Sequence, residues 1–382
     1  MKFDRWGYEV NTCSDACLSA INSYYLQVLS YGRKRSVILE ATINDPKCVL
    51  GNILAAHFLC SSDPSRALPL IDAAKSGLEH ASSYEKAVFD ALYYLISPDR
   101  DDDVAVELHS KLCHVYQYEC HFKEAVNFME ECARSWSSLS SFMYTHNWWH
   151  VALCYLEGRA PMEKVREVYD QHIWKELERT DAVSVEVYLN AVGLLLRVHV
   201  HGGLDMFEDR LKILAICLKD RAFWYLEWHL DILILWALSF TGEFAAAENL
   251  LEGLKSRIST MNKKKKQLMQ IGVQLAEALC EYGKGENEKA LEFLGHEFNV
   301  LNCKIIGASD EQLDVFNEIW ISLLLSTGQA SRAIQAIEKQ LKKRERAPFL
   351  WCLLEKGYSI LGRPEAARFR DKARMLDVSH FI

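Results

Sequence analysis

Six times along this 382-residue chain a turn position is followed five residues later by alanine, and four of the six open with glycine. These four are Gly242-Glu-Phe-Ala-Ala-Ala247, Gly285-Glu-Asn-Glu-Lys-Ala290, Gly328-Gln-Ala-Ser-Arg-Ala333 and Gly362-Arg-Pro-Glu-Ala-Ala367. Cys120-His-Phe-Lys-Glu-Ala125 and Ser62-Asp-Pro-Ser-Arg-Ala67 fill the same slot without glycine. Successive glycines lie 43, 43 and 34 residues apart. Periods in this range are those of stacked helical hairpins, and 34 is the tetratricopeptide period. Glycine ends a helix in the left-handed conformation that other residues adopt at a cost. The alanine marks a close helix crossing, where a larger side chain would push the partners apart. The expected fold is all-α: a right-handed superhelical stack of antiparallel helix pairs, a tetratricopeptide-like α-solenoid.

Half of the residues are hydrophobic, enough for a large core, and only seven are proline. Length alone suggests two or three domains. A stack in which each repeat packs on its neighbours grows without dividing, so one domain over 1–382 is expected, with N-terminal repeats in 1–112 and C-terminal repeats in 113–382. The predicted helices of the first part are Ser14–Leu29, Asp45–Leu59 with Pro46 in its first turn, Ser65–Lys75, Tyr84–Ile96, Val104–Glu119 and Phe122–Arg134. Pairs follow: Phe142–Leu156 with Met162–Trp174, Val183–Val200 with Leu204–Leu218, and Phe223–Ser239 with Ala245–Arg257. The last three are Lys266–Tyr282 with Asn287–Phe298, Gln312–Ser326 with Ala330–Lys343, and Pro348–Leu361 with a short, charged cap, Pro364–Met375. Asn299 to Asp310 reads as the longest loop of this half.

A net charge of −8 argues against nucleic acid as the main partner, because neutralising phosphates takes a basic face. The run Lys263-Lys-Lys-Lys266 reads as a solvated helix start or as a phosphate-binding or targeting patch. Twelve cysteines are scattered through apolar helical stretches without a Cys-x-x-Cys, and Met1-Lys-Phe-Asp-Arg-Trp-Gly has no apolar signal core. Free buried thiols and a cytoplasmic location are expected. The longest apolar run, Leu230 to Phe240, contains Asp231 and is too short to span a membrane.

The sharpest local pattern is Thr145-His-Asn-Trp-Trp-His150. His146 and His150, four apart, share a helix face at metal-ligand or general-base spacing. The zinc-protease version requires glutamate after the first histidine, where this chain has Asn147. The alternative is a hydrogen-bonded histidine pair beside Trp148 and Trp149. In either case His150 is expected to lie buried or in a groove wall within reach of an acidic or amide group. Polar residues also interrupt other first-of-pair helices: His114 and Glu119, His229 and Asp231, Asp314 and Asn317. Such helices line the concave side of a stack, so these residues either converge on a groove or satisfy core contacts. His172 lies on a second-of-pair helix, and His199 and His201 read as cation-like caps of a helix end. No phosphate loop, nucleophile elbow or dinucleotide fingerprint occurs, and Gly202-Gly203 is only a turn.

The run from His146-Asn-Trp-Trp-His150 through Tyr169-Asp-Gln-His-Ile173 resembles the tetratricopeptide repeat protein 38 family, as do Trp228-His-Leu-Asp231, Gly307-Ala-Ser-Asp-Glu-Gln-Leu-Asp-Val-Phe-Asn317, and Asp45-Pro46 with Gly51. The wording is most similar to plant members, and the resemblance covers nearly the whole chain. It implies a tetratricopeptide-like fold and little about activity. Family members carry about two further helical pairs where this chain runs from Leu108-His-Ser-Lys-Leu112 into Cys113-His-Val. The join has the form of an internal deletion, as from a shortened transcript, which makes 101–134 the expected irregular part of the stack.

Two functions compete. One is a non-enzymatic interaction module that presents a concave groove to a protein or peptide. The other is a small-molecule binder or enzyme with a groove of His114, His146, Asn147, His150, His172, His229, Asp231, Asp314 and Asn317, with His146 and His150 as candidate metal ligands. No cofactor and no oligomeric state is indicated.

Overall fold

Helix accounts for nearly all regular structure in the computed structural model, which describes residues 2–29, 34–60, 62–96, 120–133, 136, 140–295 and 297–381. The all-α expectation therefore holds, with one addition, a two-stranded antiparallel ribbon of Lys2–Phe3 and Glu9–Val10. The predicted helix Val104–Glu119, and with it His114, falls outside the described residues. Among the described residues, no helix is long and apolar enough to cross a membrane.

The chain divides into two compact units, one of Met1–His121 with Asn127–Leu139 and one of Phe122–Val126 with Ser140–Ile382. The first holds α1 (Asp15–Leu29), α2 (Ile38–Asn44), α3 (Val49–Leu59), α4 (Pro64–Gly77) and α5 (Ser83–Ile96), while α6 (Phe122–Cys132) contributes residues to both units. Asp45-Pro46 does not open a helix. The helix begins at Val49, where Cys48 Sγ accepts from Gly51 N–H, and Pro46 lies in the turn after α2. There Asn52 Nδ2 donates to the carbonyls of Pro46 and Cys48 at 2.8 and 2.9 Å, holding the turn against α3.

The second unit opens with α7 (Ser141–Glu157), α8 (Met162–Val168), α9 (Ser184–Val200), α10 (Glu208–Leu218), α11 (Trp228–Phe240) and α12 (Phe244–Ser259). It continues with α13 (Lys263–Gly283), α14 (Asn287–Leu294), α15 (Asp310–Ser326), α16 (Ala330–Leu341), α17 (Pro348–Ile360) and α18 (Ala366–His380). The amphipathic pattern sets each packing face. In α16, Ala330, Ala333, Ile334, Ile337 and Leu341 are buried, a stripe at helical spacing. Residues 229–239 of α11 are buried on every side, between α9, α10, α12 and α13. At one crossing the backbones nearly touch, since a Cβ on Gly283 would lie 2.8 Å from the Trp236 carbonyl oxygen.

The glycine cadence lies where it was expected. Gly242, Gly285, Gly328 and Gly362 stand between helices at φ of 83, 81, 77 and 66°. Ala247, Ala290 and Ala333 are fully buried. The last turn departs, because α18 starts at Ala366 and buries that residue while Ala367 is exposed. It also runs to His380 and is not a short cap.

These turns share two backbone bonds, from the left-handed residue to the carbonyl three back and from its successor to the carbonyl five back. Examples are Gly242 N to Ser239 O at 3.3 Å with Glu243 N to Leu238 O at 2.8 Å. Gly202 closes α9 in the same way. The turn after α7 has the same pair, Arg159 N to Leu156 O at 3.1 Å and Ala160 N to Tyr155 O at 2.9 Å. There the left-handed residue, at φ 55°, is Arg159. An L side chain in that conformation costs about 1–2 kcal/mol.

Three boundaries and one packing contact differ from expectation. The helix after Met162 is α only to Val168, then π over Tyr169–Trp174 and 3-10 over Lys175–Glu178. Ahead of α11 the chain breaks at Tyr225, which has φ 65°. The loop predicted from Asn299 to Asp310 contains a 3-10 helix, Val300–Ile306. Finally, α9 packs against α15 as well as its neighbours α7 and α11. A stack with nearest-neighbour contacts alone would lack that packing.

Candidate functional site

The polar candidate residues of the second unit form separate groups. In the first, Ser140 caps α7, its hydroxyl accepting from Met143 N–H at 3.3 Å, and the helix carries Thr145, His146, Asn147, Trp148 and Trp149 into the interior. Asn190 of α9 faces them, with Nδ2 donating to the Phe142 carbonyl at 3.2 Å and to Thr145 Oγ1 at 2.8 Å. Its Oδ1 therefore faces His146 Nδ1, 3.4 Å away, as an acceptor. This places a proton on His146 Nδ1 and leaves Nε2 to accept from His150 Nε2 at 3.2 Å. Both Nε2 atoms cannot carry protons toward each other. His146 stacks between Phe142 and Trp149, with centroids 5.3 and 5.7 Å away. His150 is half-buried.

A second group was not among the sequence candidates. Arg197 of α9 is 1 % exposed and lies 3.6 Å from Glu157 and 3.7 Å from Glu318. It also donates to the Glu311 carbonyl. Arg344 bonds Glu157 on its other side and reaches Asp314 at 3.6 Å. His201 Nε2 approaches Glu318 at 3.4 Å while its ring stacks on Phe349 at 3.7 Å. Burial would raise the Glu318 carboxyl, but the approach of His201 and the charges of Arg197 and Arg344 hold it below its ordinary value. Asp314 is less enclosed, with 44 % of its side chain exposed, and faces Arg344. The arginines and carboxylates offset one another, as buried charges must.

Between these groups lies a cavity bounded by Trp149, Leu189, Gly193, Arg197, His229 and Gln312, with about 10 Å³ open to the centre of a water-sized sphere. That is room for one water molecule. His229 Nδ1 and Arg197 Nε have no hydrogen-bond partner among the described residues. Burial pushes His229 down to about 4, so it is neutral at neutral pH.

The other candidates lie apart from the cavity. Asp231 accepts from Tyr225 N–H at 2.8 Å and so holds the left-handed residue ahead of α11, and burial pushes its carboxyl up to about 7. Asn147 and Asn317 are buried, and neither Nδ2 has a partner among the described residues. His172 lies on the π segment, stacked on Trp148 at 3.5 Å and bonded to Tyr144 Oη at 3.2 Å. Isolated π turns recur at functional sites. His199 is not the cationic cap that its place suggested. It sits among Trp236, Phe240 and Tyr282, and burial lowers its pKa. Among the described residues, no group of three or more His, Cys, Asp or Glu side chains is placed to hold a metal ion.

Neither a known family model nor a solved structure matches the chain.

Arg197 and Glu318 left a signal in the sequence, a charge inside Leu194-Leu-Leu-Arg197-Val and another beside Asn317. Each is one charge at a helical position that solvent would also explain. Only the packing of α9 on α15 brings them together.

Proposed function

We propose that this chain is a non-enzymatic, cytoplasmic interaction protein of the tetratricopeptide type, related to the repeat protein 38 family. Its hairpins wind as a right-handed stack and present a helical surface to a protein or peptide. One observation carries the reading. The polar groups of the second unit pair within separate clusters, Arg197 with Glu157 and Glu318 and His146 with Asn190. Arg197 and His229 border a space for one water molecule, so among the described residues these groups act as core contacts. The packing of α15 on α9 favours a partner surface elsewhere on the hairpins. The net charge of −8 favours protein over nucleic acid as the partner. Free thiols at ten of the twelve cysteines suit a reducing compartment.

The test is to pan a random peptide library on the purified full chain. Enriched peptides that compete for one site, and still bind after His146→Ala, support the reading. Failure to enrich any sequence counts against it. The alternative, a metal-dependent binder or enzyme, draws on the Asn190-oriented His146–His150 pair, whose 3.2 Å separation suits two ligands of one ion. Elemental analysis of the purified protein separates the two, because a stoichiometric metal lost in His150→Ala would favour the alternative.

A further inference from the structure

A second, larger cavity opens where the turn after α7 meets α17 and α18. It encloses about 270 Å³ and is lined by Arg159, Cys352, Glu355, Arg370, Arg374 and Asp377. Three guanidinium groups thus face two carboxylates. Arg370 pairs with Glu355 at 2.5 Å. Arg159 lies 3.5 Å from Asp377 and donates to Cys352 Sγ at 2.7 Å. Burial raises the Cys352 thiol, so this contact leaves the Arg159 charge in place. Arg374 is exposed and makes no ion pair among the described residues. A guanidinium carries five donors, and each arginine here commits only part of that set.

Arg159 adds an independent argument. The turns closed by Gly202, Gly242, Gly285, Gly328 and Gly362 have the backbone bonds of the Arg159 turn and use glycine for the left-handed residue. This turn sets an arginine there, against the local preference, and the strained residue reaches into the cavity. Departures from local rules concentrate where a side chain serves a function.

We infer that this cavity is a binding site for a small oxyanion, a phosphate or carboxylate group on a compact ligand. Fork-shaped guanidinium groups match both oxyanions with paired donors. The volume lies just under the range of drug-sized ligand pockets, which suits inorganic phosphate, pyrophosphate or a short dicarboxylate. The site does not depend on the interaction reading above, and a stack that binds no peptide would still hold it.

The experiment is isothermal titration calorimetry on the full chain at low salt with phosphate, pyrophosphate and malonate, which tells phosphate from carboxylate. One of the three binds saturably at one site per chain. Arg159→Gly and Arg374→Ala each weaken that binding at least tenfold, and Arg332→Ala, a surface cation on α16, leaves it within twofold. Arg159→Gly melts at or above the wild-type temperature, which sets its binding loss apart from unfolding. Absence of saturable binding for all three anions overturns the proposal. So does equal affinity in the pocket variants, or an equal loss in Arg332→Ala.

Discussion

The hairpins from Phe244 to Leu341 and the block from Ser141 to Val200 belong to one unit but follow the repeat to different degrees. In the first, α12, α14 and α16 each follow a left-handed glycine, and Ala247, Ala290 and Ala333 are buried. In the second, the turn uses Arg159, the helix after Met162 becomes a π turn, and buried side chains include His146, Asn190 and Arg197. Where backbone geometry alone maintains a hairpin, small residues at fixed spacing suffice. Where polar groups must meet across α7, α9 and α15, the regular pattern gives way to side-chain pairing specific to that place.

The largest effect that distinguishes the two regions is expected at Arg197. Arg197→Met leaves Glu157 and Glu318 without their shared buried cation, and denaturant unfolding is expected to show a loss of about 3–5 kcal/mol. In the regular hairpins, Ala290→Leu or Ala333→Leu forces a leucine into a closed crossing and costs about 1–3 kcal/mol. An unchanged melt for either alanine variant would break the comparison on that side, because the crossing would then have room to spare.

The same comparison accounts for what the sequence allowed to be read. The glycine-to-alanine cadence is local, and it located the turns after α11, α13, α15 and α17. It slipped by one residue at Ala366 and Ala367, where the helix starts two residues after Pro364. The histidines of Thr145 to His150 were also visible, because two residues four apart share a face in any helix. Asn190, which meets His146 Nδ1, was not visible, since it lies 44 residues from His146 and meets it only through packing. Arg197, Glu318 and Arg344 were missed for the same reason. Asp231 and His229 are two residues apart in sequence, and the structure gives them separate tasks, one bonding the Tyr225 amide and the other lining the cavity.

Two pH effects of intermediate size sharpen the contrast between those neighbours. His229 titrates near 4 in the folded chain and near its ordinary 6.5 when unfolded, so the unfolded chain binds more protons between those values. Its contribution to stability falls as pH drops from 6.5 to 4, and His229→Leu is expected to flatten that limb. Asp231 has the opposite sign. Its carboxyl is raised from 3.8 to about 7, so the folded chain holds the proton more tightly and stability falls as pH rises through that window. Asp231→Asn keeps an acceptor for Tyr225 N–H and is expected to raise stability at pH 8 by on the order of 2 kcal/mol, with little change at pH 4. Urea unfolding at the two pH values reads both variants.

On the proposed reading, the polar interior of the second unit organises the fold and does not perform chemistry. Thermal melting of the wild type and His146→Ala, each with and without added zinc, tests it most directly. The account predicts that His146→Ala melts several degrees lower, having lost the Asn190 bond and the stack on Trp149, and that zinc moves neither curve. A wild-type melt raised by zinc, with the rise abolished in a variant that otherwise melts like the wild type, would contradict it.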